Sequence, residues 1–186
     1  MAKTELPTPE ELRKLLRYEP DTGKLYWLER SAELFEDGKR SAEHNCAVWN
    51  GRFANKEAFT SVDGDGYKKS RIFSRDFRAH RVAWVIYYGE WPHEIDHING
   101  VRDDNRLENL RSVSHAENCK NQKLPSDNTS GVIGVCWYKP TRKWIAQIRA
   151  NGRQVNLGYF VKKDDAIAAR KAAEVKYNFH SNHGRG

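Results

Sequence analysis

The chain has 186 residues, of which 38% are hydrophobic and 31% are charged. This composition is too polar for a membrane protein and too aromatic for a disordered chain, and the length allows one ordinary domain or two small ones. The longest apolar run, Val82–Tyr88, is far shorter than the roughly 20 residues that span a bilayer. The N-terminus, Met1-Ala2-Lys3-Thr4-Glu5, lacks the apolar stretch of a secretion signal, so we expect a cytoplasmic protein with no membrane partner.

The net charge of +7 comes from one part of the chain. Residues 1–125 carry 21 basic and 21 acidic side chains, whereas residues 126–186 carry 11 basic and 4 acidic ones. A basic segment that also contains aromatic residues is typical of a protein that binds a polyanion. Charge alone leaves a solubilising surface open as the alternative.

The three cysteines, Cys46, Cys119 and Cys136, are odd in number and widely spaced, with no Cys-x-x-Cys pair. This pattern argues against a disulfide framework and against a cysteine-based structural zinc site. We therefore expect buried, reduced thiols and no structural zinc.

The first elements can be read from capping and turn signals. Thr8, followed by proline and by Glu11, predicts the start of a helix with a capping box. Residues Lys24–Leu28 and a segment near Tyr67–Phe73 are predicted strands. The polar, irregular stretch 29–50 is predicted to be a loop, and the pattern assigns no role to residues 29–62.

A helix is predicted over Arg78–Tyr88, with an apolar face and Gly89 as its end. Just before and within its first turn, six cations accompany a single acid, Asp76. A strip that contacts DNA phosphates is one interpretation, with Arg78 and Arg81 as its candidate contacts, and a solvated face is the other. The six cations are Lys68, Lys69, Arg71, Arg75, Arg78 and Arg81.

The segment 93–122 contains the strongest functional signal. A short strand ends at Asp96-His97, a polar loop follows, and Leu110–Val113 is a second short strand. Ser114-His-Ala-Glu117 is a capping box that starts a helix, which places Asn118 in the first helical turn. This order can bring Asp96, His97 and Asn118 together.

These residue types suit phosphodiester hydrolysis. The carboxylate of Asp96 and the side-chain amide of Asn118 offer hard oxygen ligands, which favour Mg²⁺ or Mn²⁺ over zinc. An imidazole such as that of His97 can activate water, because its unperturbed pKa is about 6.5.

The segment resembles the HNH (ββα-metal) nucleases of the phage and intron homing type. In that pattern an Asp-His pair is followed by Asn twelve residues after the His and by His or Asn twenty-one after it, and Asn109 and Asn118 occupy these positions. The resemblance implies that His97 is the general base and that Asp96 and Asn118 bind one divalent metal. It also implies that Asn109 ties the loop together and holds His97, and that a phage-encoded protein would act in the host cytoplasm.

Two other histidines are candidates for a supporting role behind these residues. His80 lies in Arg-Ala-His-Arg, which resembles the segment before the motif in phage members, and a structural histidine at a helix start is the alternative. His115 lies three residues before Asn118 on the same predicted helical face, and an exposed first-turn residue is the alternative.

The last third reads as a separate module after a linker at 123–130. Three short strands are predicted over Val132–Trp137, Lys143–Ala150 and Gln154–Phe160, with Asn151-Gly152 as a hairpin turn. Asp164-Asp165 is predicted to cap an alanine-rich helix. Strand alternation then leaves one open polar face, formed by Gln147, Arg149, Gln154 and Asn156.

This module resembles the plant APETALA2/ethylene-response-factor DNA-binding domain, through Ser130-Gly-Val-Ile-Gly-Val135, Trp144-Ile-Ala-Gln-Ile-Arg149 and Leu157-Gly-Tyr-Phe160. The resemblance implies that outward residues of the three strands contact double-stranded DNA, which here means the open polar face together with Tyr138. The first strand departs from the family, because plant members carry several arginines where this chain has Ile133, Cys136 and Trp137. A sheet without DNA contact is the alternative.

Together these signals predict an α+β protein: a small ββα-metal core preceded by a helix and strand region, then a three-stranded antiparallel sheet packed on one helix. The expected domains are an HNH nuclease at 1–122, with its core at 93–122, a linker at 123–130 and a DNA-binding domain at 131–183. The first hypothesis is a metal-dependent homing-type endonuclease whose C-terminal module chooses the DNA site. The others are a DNA-binding regulator with a vestigial nuclease motif, and a nuclease that recognises DNA mainly through residues 1–80.

Overall fold

The protein has the predicted α+β fold, as seen in a computed structural model that describes residues 5–185. Residues 1–4, on which the expectation of no secretion signal mainly rested, lie outside these residues. The chain divides into two compact units. The first comprises the residues up to His97 together with Val101–Ser112, and the second comprises Ile98–Gly100 together with the residues from Val113 onward. The linker and domain boundaries drawn from the sequence remain predictions.

Helices and strands alternate irregularly along the first part of the chain. In chain order they are α1 Pro9–Leu15, β1 Leu16–Glu19, β2 Lys24–Trp27, α2 Ala42–Phe53, β3 Glu57–Ala58, β4 Ser61–Val62, β5 Lys68–Ile72, β6 Arg75–Arg78, α3 Ala79–Tyr88, β7 Glu94–His97 and β8 Leu110–Val113. The remaining elements are α4 His115–Asn118, β9 Val135–Tyr138, β10 Lys143–Ala150, β11 Arg153–Phe160 and α5 Lys163–Lys176. Short 3₁₀ turns cover Ala32–Leu34, Leu107–Asn109 and Cys119–Asn121.

Helix α1 begins as predicted. The Thr8 side chain accepts a hydrogen bond from the Glu11 backbone amide, and the Glu11 side chain accepts one from the Thr8 amide. Leu12 and Leu15 are buried on one face of the helix. The reciprocal cap fixes where the helix starts, so its apolar stripe faces the core.

The prediction of a loop over 29–50 was wrong, because α2 begins inside this stretch. Ser41 caps the helix through the His44 amide, and Trp49 and Phe53 pack against the core of the first unit. The Asn50 side chain both donates to the Arg30 carbonyl and accepts from the Arg30 amide. Few residues of this helix are buried, so its sequence lacks the apolar periodicity that identifies helices.

Helix α3 is the centre of the first unit. Val82, Ala83 and Val85 are fully buried. The predicted end at Gly89 is confirmed: its φ of +82° is left-handed and ends the helix. The predicted start is one residue early, because Arg78 is the last residue of β6 and the cap of α3.

The predicted three-stranded antiparallel sheet forms in the order β11-β10-β9 and packs on α5. Val135, Ala146 and Ala166 are almost fully buried between sheet and helix. The small side chains of the two alanines let the helix approach the strands closely. The predicted cap at Asp164-Asp165 was wrong. The cap residue is Lys162, and the two aspartates lie in the first turn, where their charge favours the helix dipole.

A bulge interrupts the pairing of β10 with β11. Ala146 pairs with Gly158 but Gln147 pairs with Asn156, which leaves Leu157 as the extra residue. Just before β9 begins, the Gly134 carbonyl accepts a hydrogen bond from the Gln147 amide at 2.9 Å. The Gln147 carbonyl accepts from the buried Arg170 guanidinium of α5 at 2.7 Å. The sheet and helix are therefore tied together at the point where the polar face begins.

All three cysteines are free thiols, as predicted, but the expectation that all are buried was wrong. Cys46 is buried, Cys119 is half-buried and Cys136 is exposed on β9. Across residues 5–185, every helix is too short or too polar to cross a bilayer.

Candidate active site and nucleic-acid interface

Asp96 and His97 end strand β7, which pairs with β8 in a two-stranded sheet. Only 6% of Asp96 and 4% of His97 is exposed. Their neighbour Ile95 packs with Trp84 and Leu110, so the strand is anchored by an apolar cluster. Polar side chains buried to this degree need bonding partners, and the structure supplies them from the loop and from β8.

His97 is held by Asn105, a residue that sequence reasoning did not single out. The Asn105 Oδ1 accepts a hydrogen bond from His97 Nε2 at 3.1 Å, and Asn105 itself is 2% exposed. With its hydrogen on Nε2, the neutral ring carries its basic lone pair on Nδ1. Burial lowers the pKa of His97, and the bond to Asn105 opposes that effect without cancelling it. The ring is therefore neutral at pH 7.

Asn109 lies in the same loop and is also buried. Its side-chain amide donates to the Asp104 carbonyl at 2.7 Å, and its backbone amide donates to the Arg106 carbonyl. These bonds close the loop between β7 and β8. The catalytic role given to Asn109 stays a prediction.

Arg111, on β8, is the other residue that the sequence analysis missed. Its Nε and Nη2 both donate to Asp96 Oδ2, at 2.9 and 2.6 Å. The guanidinium, 37% exposed, thus compensates the buried carboxylate. The signal was present in the sequence, since Arg111 falls on the strand that pairs with β7, but strand pairing alone does not say which residue faces Asp96.

An aromatic group surrounds His97. The His80 ring stands edge-on to it at 5.0 Å between centroids, and the Tyr67 ring lies 4.9 Å from His80. Burial, with a smaller contribution from His97, lowers the pKa of His80 to about 3, so His80 is uncharged. His80 Nδ1 has no hydrogen-bond partner within residues 5–185. This places His80 next to the predicted base, as the supporting role requires.

Asn118 and His115 lie on α4, in the second unit. The predicted capping box between Ser114 and Glu117 is present, so the helix starts where expected. His115 Nε2 lies 3.7 Å from Cys119 Sγ. The structure therefore brings Asp96, His97 and Asn109 into one unit, and the participation of Asn118 with them stays a prediction.

The candidate metal ligands fit a hard divalent cation chemically, because carboxylate and amide oxygens are the ligands that such ions prefer. Within residues 5–185, no group of three or more His, Cys, Asp or Glu side chains converges as a metal site. An ion bound at Asp96 would share this carboxylate with the Arg111 guanidinium, which already forms an ion pair with it.

Four of the six cations of the strip pair with carboxylates, two of them with Asp76 inside the strip and two with acidic residues that precede it. Arg78 binds both Asp63 and Asp65, and its guanidinium also covers the Tyr67 ring at 4.2 Å. Arg81 donates to the backbone carbonyls of Pro92 and His93. The other ion pairs are Lys68–Glu57, Lys69–Asp76 and Arg71–Asp76. The proposed phosphate contacts of Arg78 and Arg81 would need these bonds to be exchanged.

The predicted polar face of the C-terminal sheet consists of two directly opposed pairs. Gln147 pairs with Asn156 across β10 and β11, and Arg149 pairs with Gln154. Gln154 Nε2 also donates to Gln147 Oε1. On the same face, the Tyr138 ring lies 5.7 Å from that of Tyr159. The alternation predicted from sequence is confirmed for these side chains, while their contact with DNA stays a prediction.

A cavity of 720 Å³ borders this face within the second unit. Gln147, Arg149 and Gln154 line it together with Lys120 and Arg170, and none of its lining residues is acidic. A concave surface with cations and carboxamides and no carboxylate suits contact with a nucleic acid.

Comparison with known proteins supports the assignment of the segment around Asp96 and His97 to the HNH endonucleases. Residues 77–120, which run from β6 through α4, match the HNH endonuclease family. They define an HNH endonuclease domain. "Protein 3.8" of Escherichia phage T7 is 36% identical to this chain over 91 residues, which is 48% of this chain and 75% of that protein. The chain therefore contains an HNH endonuclease domain and is related to this phage protein over about half of its own length. No solved structure matches it.

Proposed function

We propose that the protein is a metal-dependent DNA endonuclease of the homing type that hydrolyses phosphodiester bonds. The observation that carries this proposal is the buried His97, fixed by Asn105 beside Asp96, within the segment that matches the HNH family. A phage relative also fits a nuclease that acts on DNA in the cytoplasm of a host cell.

His97 is the proposed general base. With Nε2 donating to Asn105, Nδ1 is the nitrogen that takes a proton from water as the water attacks phosphorus. The lowered pKa keeps the ring unprotonated at pH 7, which a base requires. Asn109 would act by closing the loop through the Asp104 carbonyl.

Asp96 and Asn118 are the proposed ligands of one divalent ion, Mg²⁺ or Mn²⁺. When bound, such an ion would offset negative charge on the phosphate and the leaving oxygen. Arg111 holds Asp96 in one orientation through two donors to the same oxygen. The chain's own residues therefore keep the candidate ligand fixed.

The C-terminal module is proposed to choose the DNA site as an APETALA2-like domain. The support is the placement of Gln147, Arg149, Gln154 and Asn156 on one face, since Arg, Gln and Asn side chains read base edges in the major groove. Tyr138 extends the same face. The confinement of the net positive charge to residues 126–186 points the same way.

The endonuclease assignment is tested with supercoiled plasmid DNA. The purified wild-type chain should convert it to nicked or linear forms with Mg²⁺ or Mn²⁺ and leave it intact in EDTA. His97→Ala should bind the plasmid without cutting it. If wild type binds DNA but never cuts it with either metal, the regulator with a vestigial motif is the correct function.

Site choice is tested by mapping cut positions on a long DNA with the full-length chain. A Gln147→Ala/Arg149→Ala double variant should lose the preferred positions. Lys176→Ala, which removes one positive charge from α5, serves as the control and should keep them. An unchanged cutting pattern in the double variant would instead favour recognition through residues 1–80.

A further inference from the structure

The loop that carries Asn105 is bonded to a distant part of the chain, the β1–β2 hairpin (Leu16–Trp27). The Tyr18 hydroxyl donates to the Asn105 carbonyl at 2.8 Å. The Leu107 amide donates to the Pro20 carbonyl at 3.0 Å. The hairpin thus binds the loop backbone at Asn105 and again two residues later.

The turn of this hairpin is in direct contact with the same backbone. A Cβ on Gly23 would lie 2.4 Å from the Arg106 nitrogen and 2.5 Å from the Asn105 carbonyl carbon. Only glycine allows this approach, and its φ of +71° adds a second reason for glycine here. The loop is therefore clamped from one side over three consecutive residues.

Tyr18 is well suited to a permanent hydrogen bond. Its ring is buried in the core of the first unit, so the hydroxyl has little freedom to move. Burial raises the pKa of Tyr18 well above its usual value, so the hydroxyl keeps its proton. The hydroxyl therefore remains a hydrogen-bond donor to the Asn105 carbonyl around neutral pH.

We infer that Tyr18 and the β1–β2 hairpin position the catalytic histidine, with Asn105 as the group that transmits the constraint to His97. The chain of contacts runs from the Tyr18 hydroxyl to the Asn105 backbone, and from the Asn105 carboxamide to His97 Nε2. Tyr18 and Asn105 are positioning residues, because neither of them needs to touch the DNA. This inference rests on the proposed role of His97 as the base.

A hairpin that only completed the core would pack through apolar side chains. This hairpin does pack in that way through Leu16 and Leu25, and Leu107 of the loop lies against the same core. In addition, two hydrogen bonds and one close backbone approach join the hairpin to Asn105, Arg106 and Leu107. Such contacts fix the orientation of the peptide that carries the Asn105 carboxamide. They fix the position of the His97 ring, and a base that acts over hydrogen-bond distance requires a fixed position.

The test uses the full-length chain and the NMR signal of the His97 Nε2 hydrogen. Wild type should show a signal protected from exchange with water, because this hydrogen is buried and bonded to Asn105. Asn105→Leu should lose it, while Asn105→Asp, which keeps an oxygen acceptor, should retain it. Tyr18→Phe should retain the signal with faster exchange, and Tyr26→Phe, the same change on the other strand of the hairpin, should match wild type.

Cleavage kinetics give the second readout. Asn105→Leu should lower kcat by about 100-fold and Tyr18→Phe by about tenfold with KM unchanged, because a displaced base slows chemistry and leaves DNA binding intact. Tyr26→Phe should keep the wild-type kcat. The indole NH signals of the tryptophans report whether each variant is folded.

The two readouts separate this inference from the proposed function. If Asn105→Leu is folded and keeps the protected His97 signal, Asn105 does not hold His97. If Tyr18→Phe changes neither the exchange rate nor kcat, the hairpin has no positioning role. If the NMR changes occur as expected but wild type cuts no DNA, the positioning stands and the endonuclease assignment fails.

Discussion

The polar side chains around His97 are buried, whereas those on the polar face of the C-terminal sheet are largely exposed. Asp96, His97 and Asn105 are buried, and each is bonded to another side chain of the first unit. Arg149, Gln154 and Asn156 are exposed on a face whose pairing is set by the backbone ladder. The first group is buried and fixed by its own contacts. The second group stays exposed on the strands that carry it, although Gln154 bonds to the Gln147 side chain and Asn156 accepts from the Gly158 amide.

This difference follows from the two tasks we propose. A base must sit within hydrogen-bond distance of one water molecule, so its geometry has to be built before substrate arrives. Side chains that read bases must reach into a groove and exchange water for base edges. They therefore stay solvated on a rigid sheet, and the two regions should respond differently to substitution.

The largest expected effect is the loss of cleavage in His97→Ala. Removing the base should slow single-turnover cutting by about 10²–10⁴-fold. DNA binding should change little, since the side chain is buried. Time courses on a labelled duplex give the rate. His44→Ala, on the exposed part of α2, is the control and should cut normally, and equal rates for the two variants would remove His97 from the chemistry.

Next in size is weaker DNA binding after substitution on the polar face. Gln147→Ala and Arg149→Ala should each cost about 1–3 kcal/mol of binding free energy if they contact bases. The maximal cutting rate at saturating DNA should stay near wild type. Equilibrium binding to the mapped site, with Lys176→Ala as the charge-matched control, checks this. A similar loss in the control would indicate a general charge effect.

A third effect is acid sensitivity of the first unit through His80. The folded pKa of about 3 lies below that of an unfolded histidine, so the unfolded chain binds the proton more readily. The resulting stability is fully present above pH 6.5 and is lost as the pH falls toward 3, by about 2 kcal/mol between pH 6.5 and pH 5.

Urea unfolding at pH 7 and pH 5 measures this loss. His80→Gln should reduce the difference between the two pH values, whereas the exposed His44→Gln should leave it as in wild type. If His80→Gln keeps the full wild-type difference, His80 is not the group whose protonation destabilises the fold.

The smallest expected effect concerns the ion pair of Arg111 with Asp96. Arg111→Gln should lower the free energy of unfolding by about 1–2 kcal/mol without metal, because a buried carboxylate loses its charge partner while solvent at the exposed guanidinium limits the loss. Mg²⁺ or Mn²⁺ should stabilise this variant more than wild type. Arg102→Gln is the control, and equal metal effects in both variants would argue against an ion at Asp96.

Local signals in the sequence predicted much of this structure. The capping boxes at Thr8 and Ser114, the glycine end of α3 and the alternation along β10 each depend on a few neighbouring residues, and all were confirmed. Helix α2 was missed because its identity depends on packing by Trp49 and Phe53 that no local periodicity reveals.

The site was predictable only in part. Spacing identified Asp96 and His97, but the partners Asn105 and Arg111 depend on loop and strand geometry. The six-cation strip carries less excess charge than its sequence alone indicates, because Glu57, Asp63 and Asp65 from preceding segments pair with it. Charge balance is a property of the fold, and a count over fourteen residues does not contain it.

The division of labour between the two regions is tested most directly by measuring binding and cutting on one labelled duplex that contains a mapped cut site. We expect His97→Ala to bind as wild type and not to cut, and Gln147→Ala/Arg149→Ala to bind weakly and to cut at the wild-type rate once saturated. A His97→Ala chain that cuts at the wild-type rate, or a double variant that binds the site as tightly as wild type, would contradict this division of labour.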